Sequence, residues 1–91
     1  MAVADIMSVQ SQGVLACSKH LAGYNQDTSC FGIDPDWDAV DVHINERVLH
    51  ELCLPAFKAS VHEADAASFM CSYNKLNIFF ACENDWLLNL Y

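Results

Sequence analysis

NERVLHELCLPAFKASVHEADAASFMCS, residues 45–72, changes its hydrophobic period once, and that change points to a fold class. Asn45 is a good helix cap, because its side-chain oxygen accepts from one of the unpaired N–H groups of a first turn. Leu49, Leu52, Cys53, Ala56, Phe57, Ser60 and Ala64 then fall at the 3,4 spacing of one helical face. Pro55 has no N–H to offer the carbonyl of Glu51, so this helix is expected to kink or break near Leu54. From Ala67 to Ser72 the run becomes strand-like, and Tyr73-Asn74 opens a loop.

Working outward, Val3, Ile6, Met7 and Gln10 form one stripe of a helix over Met1 to Gln12, and Gly13 is a natural helix end. Val14 to Ser18 reads as a buried strand with a polar end at Lys19-His20. Leu21 to Ile44 keeps no period and carries Gly23, Gly32, Pro35 and the acids Asp27, Asp34, Asp36, Asp38 and Asp41, so it reads as a long loop. Downstream, Asn84 or Asp85 is placed to cap a last helix through Trp86, Leu87, Leu88 and Tyr91. The order helix, strand, loop, helix, strand, loop, helix is the rhythm of an α/β protein with a parallel sheet.

Ninety-one residues leave room for at most one small domain. A composition 54% hydrophobic and 18% charged is that of material meant for a core, which excludes disorder as the default. Four Lys and Arg against twelve Asp and Glu give a formal charge of -8, which repels phosphate backbones and anionic headgroups, so neither nucleic acid nor a membrane is an expected partner. The longest apolar run, Ile78 to Cys82, is far short of a membrane helix, and no signal peptide is read at the start. Five cysteines, an odd count, leave at least one thiol free or paired outside the chain. The apolar richness with only three glycines suggests a piece of an α/β protein whose faces other segments cover.

Several constellations imitate metal or thiol chemistry. Asp34, Asp36 and Asp38 have the 1,3,5 spacing of a calcium loop, but Ala39 stands where the turn wants glycine and Asn45 where it wants glutamate. They read as a solvated face. Cys17-x-x-His20 and His50-x-x-Cys53 imitate zinc pairs, yet on a strand residues i and i+3 face opposite ways. Cys17 and Cys71 sit in apolar runs where thiols are inert, and His43, His50 and His62 read as surface residues. No metal or cofactor is expected.

Three spellings, in order, carry a family resemblance. Gln10-Ser11-Gln12-Gly13-Val14-Leu15-Ala16-Cys17-Ser18-Lys19-His20-Leu21-Ala22-Gly23-Tyr24-Asn25 resembles the Lys-His stretch of the N-terminal domain of glycoside hydrolase family 3, the β-glucosidase and β-xylosidase family. Asn45 to Phe57 resembles its "ER-L-E-LP-F" helix, and Met70-Cys71-Ser72-Tyr73-Asn74 with Ala81-Cys82-Glu83-Asn84 resembles its "M-SYN … CEN" segment. The resemblance covers nearly the whole chain apart from Thr28 to His43. It implies that residues 1–91 are part of a (β/α)-barrel domain with about two parallel strand-helix units. It also implies retaining hydrolysis of terminal β-linked sugars, with the substrate a β-linked oligosaccharide or glycoside.

Residue by residue, the family's sugar-subsite positions fall on Lys19, His20, Tyr73 and Met70. An ammonium and an imidazole N–H suit that task, since both donate to the ring of hydroxyls a glycosyl unit presents. The bland reading of Lys19-His20 is a solvated strand end, that of Tyr73 a packing aromatic and that of Met70 core filler. The family's nucleophilic aspartate and acid/base glutamate lie outside this chain, as does an upstream acid or arginine pair. Asn84-Asp85-Trp86 mimics the nucleophile's spelling but stands at a helix start, and Cys30 falls where an arginine is common. Asn77-Ile78 replaces Asn-Gly, so a turn that needs positive φ is expected to be altered. Cysteines flanking the "SYN" loop resemble an arrangement of secreted members, which implies a bridge between Cys71 and Cys82 and a secreted or periplasmic parent. The competing reading is a truncated or decayed non-catalytic fragment, at most a weak carbohydrate-binding or structural piece.

Overall fold

The computed structural model describes residues 1–25 and 39–90. In chain order these form α1 (Ala2–Gln10), β1 (Cys17–Leu21), β2 (Asp41–Val42), α2 (Glu46–Val48), a π-helical turn (Leu49–Cys53), α3 (Pro55–His62), β3 (Ser68–Cys71), β4 (Lys75–Leu76), β5 (Phe79–Phe80) and α4 (Asp85–Leu88). The molecule is a mixed α/β piece with parallel strands, as its pattern predicts. The aspartates at 34, 36 and 38 and Cys30 lie outside the described residues.

The central helix starts as expected, with the Asn45 side chain accepting from the Arg47 N–H at 2.9 Å. Ahead of Pro55 it widens. The Leu54 N–H reaches back five residues to the Leu49 carbonyl at 2.9 Å, and α3 then begins with Pro55 in its first turn. Proline tolerates that place because a first-turn N–H has no helical partner anyway. The extra residue in the turn changes which side chains face inward. Leu49 and Leu54, five apart, are both buried, whereas Leu52, expected on the inner face from the 3,4 spacing, is 77% exposed. Ala56 is exposed as well, while Cys53 and Phe57 are half-buried and Ser60 and Ala64 buried.

β1 and β3 pair in parallel, with Cys17 opposite Ser68, Ser18 opposite Phe69 and Lys19 opposite Met70. The strand expected over Val14 to Ser18 therefore lies three residues further on. Val14 and Leu15 are exposed, and the ladder begins where the Ser68 N–H donates to the Ala16 carbonyl. The partner strand sets the register here, not the local apolar run. One consequence is that Lys19-His20 stands inside β1 and not after it.

A second sheet, in the order β2-β4-β5, was not legible because each strand has two residues, too few for any period to show. β2 runs parallel to β4, and β4 and β5 form a hairpin around Asn77-Ile78. Both turn residues have positive φ, 50° and 86°, as a tight two-residue hairpin demands. The turn is thus kept despite isoleucine standing where glycine is usual. Two ties hold it. Asn77 accepts from the Ile44 N–H and donates to the Ile44 carbonyl, both at 2.9 Å, and the Ile78 N–H donates to the Asp41 carboxylate at 2.9 Å.

The main core is Ala22, Leu49, Leu54, Leu76, Ala81 and Leu87, bringing β4, the central helix and α4 together. A smaller one joins Ile6 of α1 to Ala16 and Ala64. α1 ends as expected at a turn with Gly13 at φ 74°, and Gln10 links it to the rest. Its amide donates to the Ala64 and Asp65 carbonyls and accepts from the Ala67 N–H, acting as a short strand against the α3–β3 connection. Cys71 and Cys82 are bridged with Cα atoms 5.6 Å apart, as the family resemblance implied. Cys17, by contrast, is exposed and not buried in an apolar strand; with Cys53 it is one of the free thiols among the described residues.

Two stability tests follow from this geometry. The bridge closes a loop of about a dozen residues, so replacing both Cys71 and Cys82 by serine is expected to cost about 2–3 kcal/mol, read from urea unfolding; an unchanged midpoint would mean the hairpin needs no staple. Ile78 is mostly exposed, so little packing opposes relief of its left-handed backbone. Ile78→Gly is expected to raise stability by about 1 kcal/mol, and a lowered midpoint would refute the assignment of strain to this residue.

Candidate functional site

The ends of β1 and β3 are locked together by Ser72. Its N–H donates to the Leu21 carbonyl at 2.8 Å, and its hydroxyl lies 2.9 Å from the Ala22 carbonyl and 3.2 Å from that of Leu21. Ser72 is fully buried, so these bonds complete the pairing of groups that would otherwise be stranded away from water. The ladder shifts between Lys19 and Leu21, which leaves His20 as an extra residue opposite none of the β3 positions. A bulge of this kind re-aims a side chain. The Lys19–His20 and Leu21–Ala22 peptides are cis.

Beyond the bulge the chain turns at Gly23, where φ is 74° and an added Cβ would stand 3.2 Å from both Ile44 Cδ1 and Leu76 Cδ1. Glycine meets both demands at once. The turn delivers Tyr24 against His20, with ring centroids 4.7 Å apart, and against Tyr73, edge-on at 6.2 Å. His20 and Tyr73, expected at one site from the sequence, are brought together through this third ring. Lys19 and Met70 are neighbours across the ladder. Lys19 also borders a hollow of about 310 Å³ between α1 and α3, with Asp5, Ser18 and Ser60. Lys19, Met70 and Tyr73 are exposed and His20 is half-buried, so all four present atoms to solvent. Tyr24 stands within the quoted Lys-His stretch, where the sequence reads it only as part of the long loop from Leu21 to Ile44.

Ser72, Tyr73 and Asn74 divide the work at the end of β3. Ser72 and Asn74 turn inward, the latter donating to the Lys75 carbonyl at 2.8 Å, and Tyr73 is left outward. The "CEN" residues are similarly structural: Cys82 is bridged, the Glu83 N–H donates to the Phe80 carbonyl, and Asn84 caps α4 by accepting from the Leu87 N–H at 3.1 Å. Asn84 is thus the cap, with Asp85 the first helical residue behind it. A cavity of about 340 Å³ opens beside that helix, lined by Glu46, Leu49, Leu76, Phe79, Asp85 and Trp86; none of the three ring residues borders it. His50 packs edge-on against Trp86 and faces Glu46, and among the described residues no cluster of three or more His, Cys, Asp or Glu side chains is gathered for a metal.

No protein-family model matches the chain. Curated relatives do. β-Glucosidase 2 of Saccharomycopsis fibuligera is 37% identical over 97 residues, spanning 97% of this chain and 11% of that protein. An exo-α-(1→6)-L-arabinopyranosidase of Bifidobacterium longum is 39% identical over 87 residues, spanning 96% of this chain and 11% of its own length. Among solved structures, the β-glucosidase DesR of Streptomyces venezuelae, in complex with D-glucose, superposes with a TM-score of 0.84 at 42% identity, over 97% of this chain and 10% of that one. Over nearly all its length, the chain is homologous to a segment, about a tenth as long as the whole, of the β-glucosidase-like proteins of glycoside hydrolase family 3.

Proposed function

We propose that this chain is part of the barrel domain of a retaining, β-glucosidase-like glycoside hydrolase, and that it supplies sugar-subsite residues without the catalytic carboxylates. The observation that carries the reading is the row of rings in which Tyr24 packs against both His20 and Tyr73, within a chain similar over 97% of its length to a β-glucosidase that holds D-glucose. In this reading Lys19 and His20 donate to sugar hydroxyls, Tyr73 offers its ring and hydroxyl, and Met70 packs beside the ring. Such donors fix the glycosyl unit for attack at its anomeric carbon, and bonds to the 2-hydroxyl strengthen in an oxocarbenium-like transition state.

The chemistry itself lies elsewhere. Retaining hydrolysis needs two carboxyl groups about 5–5.5 Å apart across the scissile bond. Asp85 is occupied as the first residue of α4, where its carboxylate accepts from the Asn89 amide at 2.8 Å. That the chain spans about a tenth of its relatives favours a second reading for the isolated piece, a non-catalytic fragment that binds sugar weakly at most.

The purified chain is expected to give no turnover of a chromogenic β-glucoside, and turnover abolished by Asp85→Asn would overturn the assignment of roles. Titration with D-glucose, followed by NMR, is expected to move the resonances of Lys19, His20 and Tyr73. Losing an imidazole N–H donor to a sugar hydroxyl costs roughly 0.5–1.5 kcal/mol, so His20→Ala should weaken that binding about two- to tenfold. Shifts confined to other residues would discard this rim as the sugar site.

A further inference from the structure

His20 lies in β1 and Tyr73 in the loop that follows β3, and the Tyr24 ring stands against both. We propose that Tyr24 is a positioning residue, whose ring holds the His20 imidazole and the Tyr73 ring in one wall and so sets the angle at which both meet a sugar. The inference rests on the sugar-subsite reading above and extends it to a residue outside the set drawn from the family resemblance.

Three features make Tyr24 suited to this task. First, its backbone is placed by the core. Gly23 is wedged against Ile44 and Leu76, and the Ser72 hydroxyl holds the Leu21 and Ala22 carbonyls, so the residues leading to Tyr24 have little freedom. Second, the bulge removes His20 from the β1–β3 ladder, so its side chain lacks the lateral neighbours that a paired residue has across a sheet. The Tyr24 ring, tilted by 44° at 4.7 Å, supplies that contact. Third, Tyr73 is 50% exposed and stands in a loop, and the edge-on approach of Tyr24 at 6.2 Å is an arrangement aromatic pairs favour. One ring, fixed from below, therefore packs against two others from distant parts of the chain.

The test uses the 91-residue chain with its histidine and tyrosine rings isotopically labelled, and compares Tyr24→Leu with Tyr24→Phe. Amide resonances of the core residues Leu76 and Leu87 report folding in each variant. Tyr24→Leu is expected to move the His20 and Tyr73 ring resonances toward free-amino-acid values and to weaken D-glucose binding about three- to tenfold, the scale of one aromatic contact. Tyr24→Phe, which keeps the ring, is expected to hold both within twofold of the wild type. Unmoved His20 and Tyr73 resonances in folded Tyr24→Leu would overturn the proposal. So would a loss in Tyr24→Phe as large as in the leucine variant, because the hydroxyl would then be acting and not the ring. Should Tyr24→Leu fail to fold, a wild-type-like Tyr24→Phe supports the ring's role and a defective one refutes it. A wild-type chain that ignores glucose, with the ring resonances still dependent on Tyr24, would refute the sugar reading while upholding the coupling of the rings.

Discussion

Much of the structure depends on one buried hydroxyl. Ser72 reaches the carbonyls of two consecutive residues at the end of β1 from the end of β3, fifty residues away along the chain. The Ala22 end of this tie is buried, so its carbonyl needs a protein donor there. Around this tie the other constraints fall into order. The bridge at Cys71 lies one residue before it, the outward Tyr73 one residue after it, and Gly23 directly beyond the carbonyls it holds. The hydroxyl adds to the Ser72 N–H bond on the Leu21 carbonyl, and together they fix the point from which the chains leading to Tyr24 and Tyr73 leave the parallel pair.

The scaffold beneath is thin. Leu49, Leu54, Leu76 and Leu87 supply most of the apolar volume of the main core, and the remaining places go to alanines. Such a small core leaves little apolar burial to offset the entropy of ordering the loops. Covalent and polar ties take up that role: the bridge, the Asn77 clamp on Ile44 and the Gln10 amide on the α3–β3 connection. Exposed Leu15, Leu52, Ile78 and Phe79 show how much apolar surface the described residues leave outside.

What was legible in the sequence was the chemistry of single residues with one dominant preference. Asn45 and Asn84 cap helices, Pro55 marks the break at which α3 begins, and Gly13 closes α1, because each has a backbone requirement that neighbours do not overrule. Patterns were less reliable where a distant partner decided the matter. The register of β1 follows from its pairing with β3, and the exposure of Leu52 from the widened turn ahead of Pro55. Two-residue strands carry no period to read. At the candidate site, His20 and Tyr73 stand out in the sequence as polar strand ends, and only the family resemblance gives them an expected role. Tyr24 does not stand out, since nothing in Gly23-Tyr24-Asn25 announces that a bulge four residues earlier will turn an imidazole toward it.

The Gln10 amide illustrates a wider property of these ties. It spans more than fifty residues without a formal charge, as do the Ser72 hydroxyl over a similar separation and the Asn77 amide over thirty-three. The charged pairs described, by contrast, are local: His43 with Asp41, Arg47 with Glu51, His50 with Glu46. A chain with a formal charge of -8 repels itself, and ions in solution soften that repulsion. The ties made by Gln10, Ser72 and Asn77 are uncharged and of a kind that ions screen little. Electrolyte therefore acts on the repulsion between the acids of the chain and between neighbouring molecules, and leaves these three uncharged ties nearly untouched.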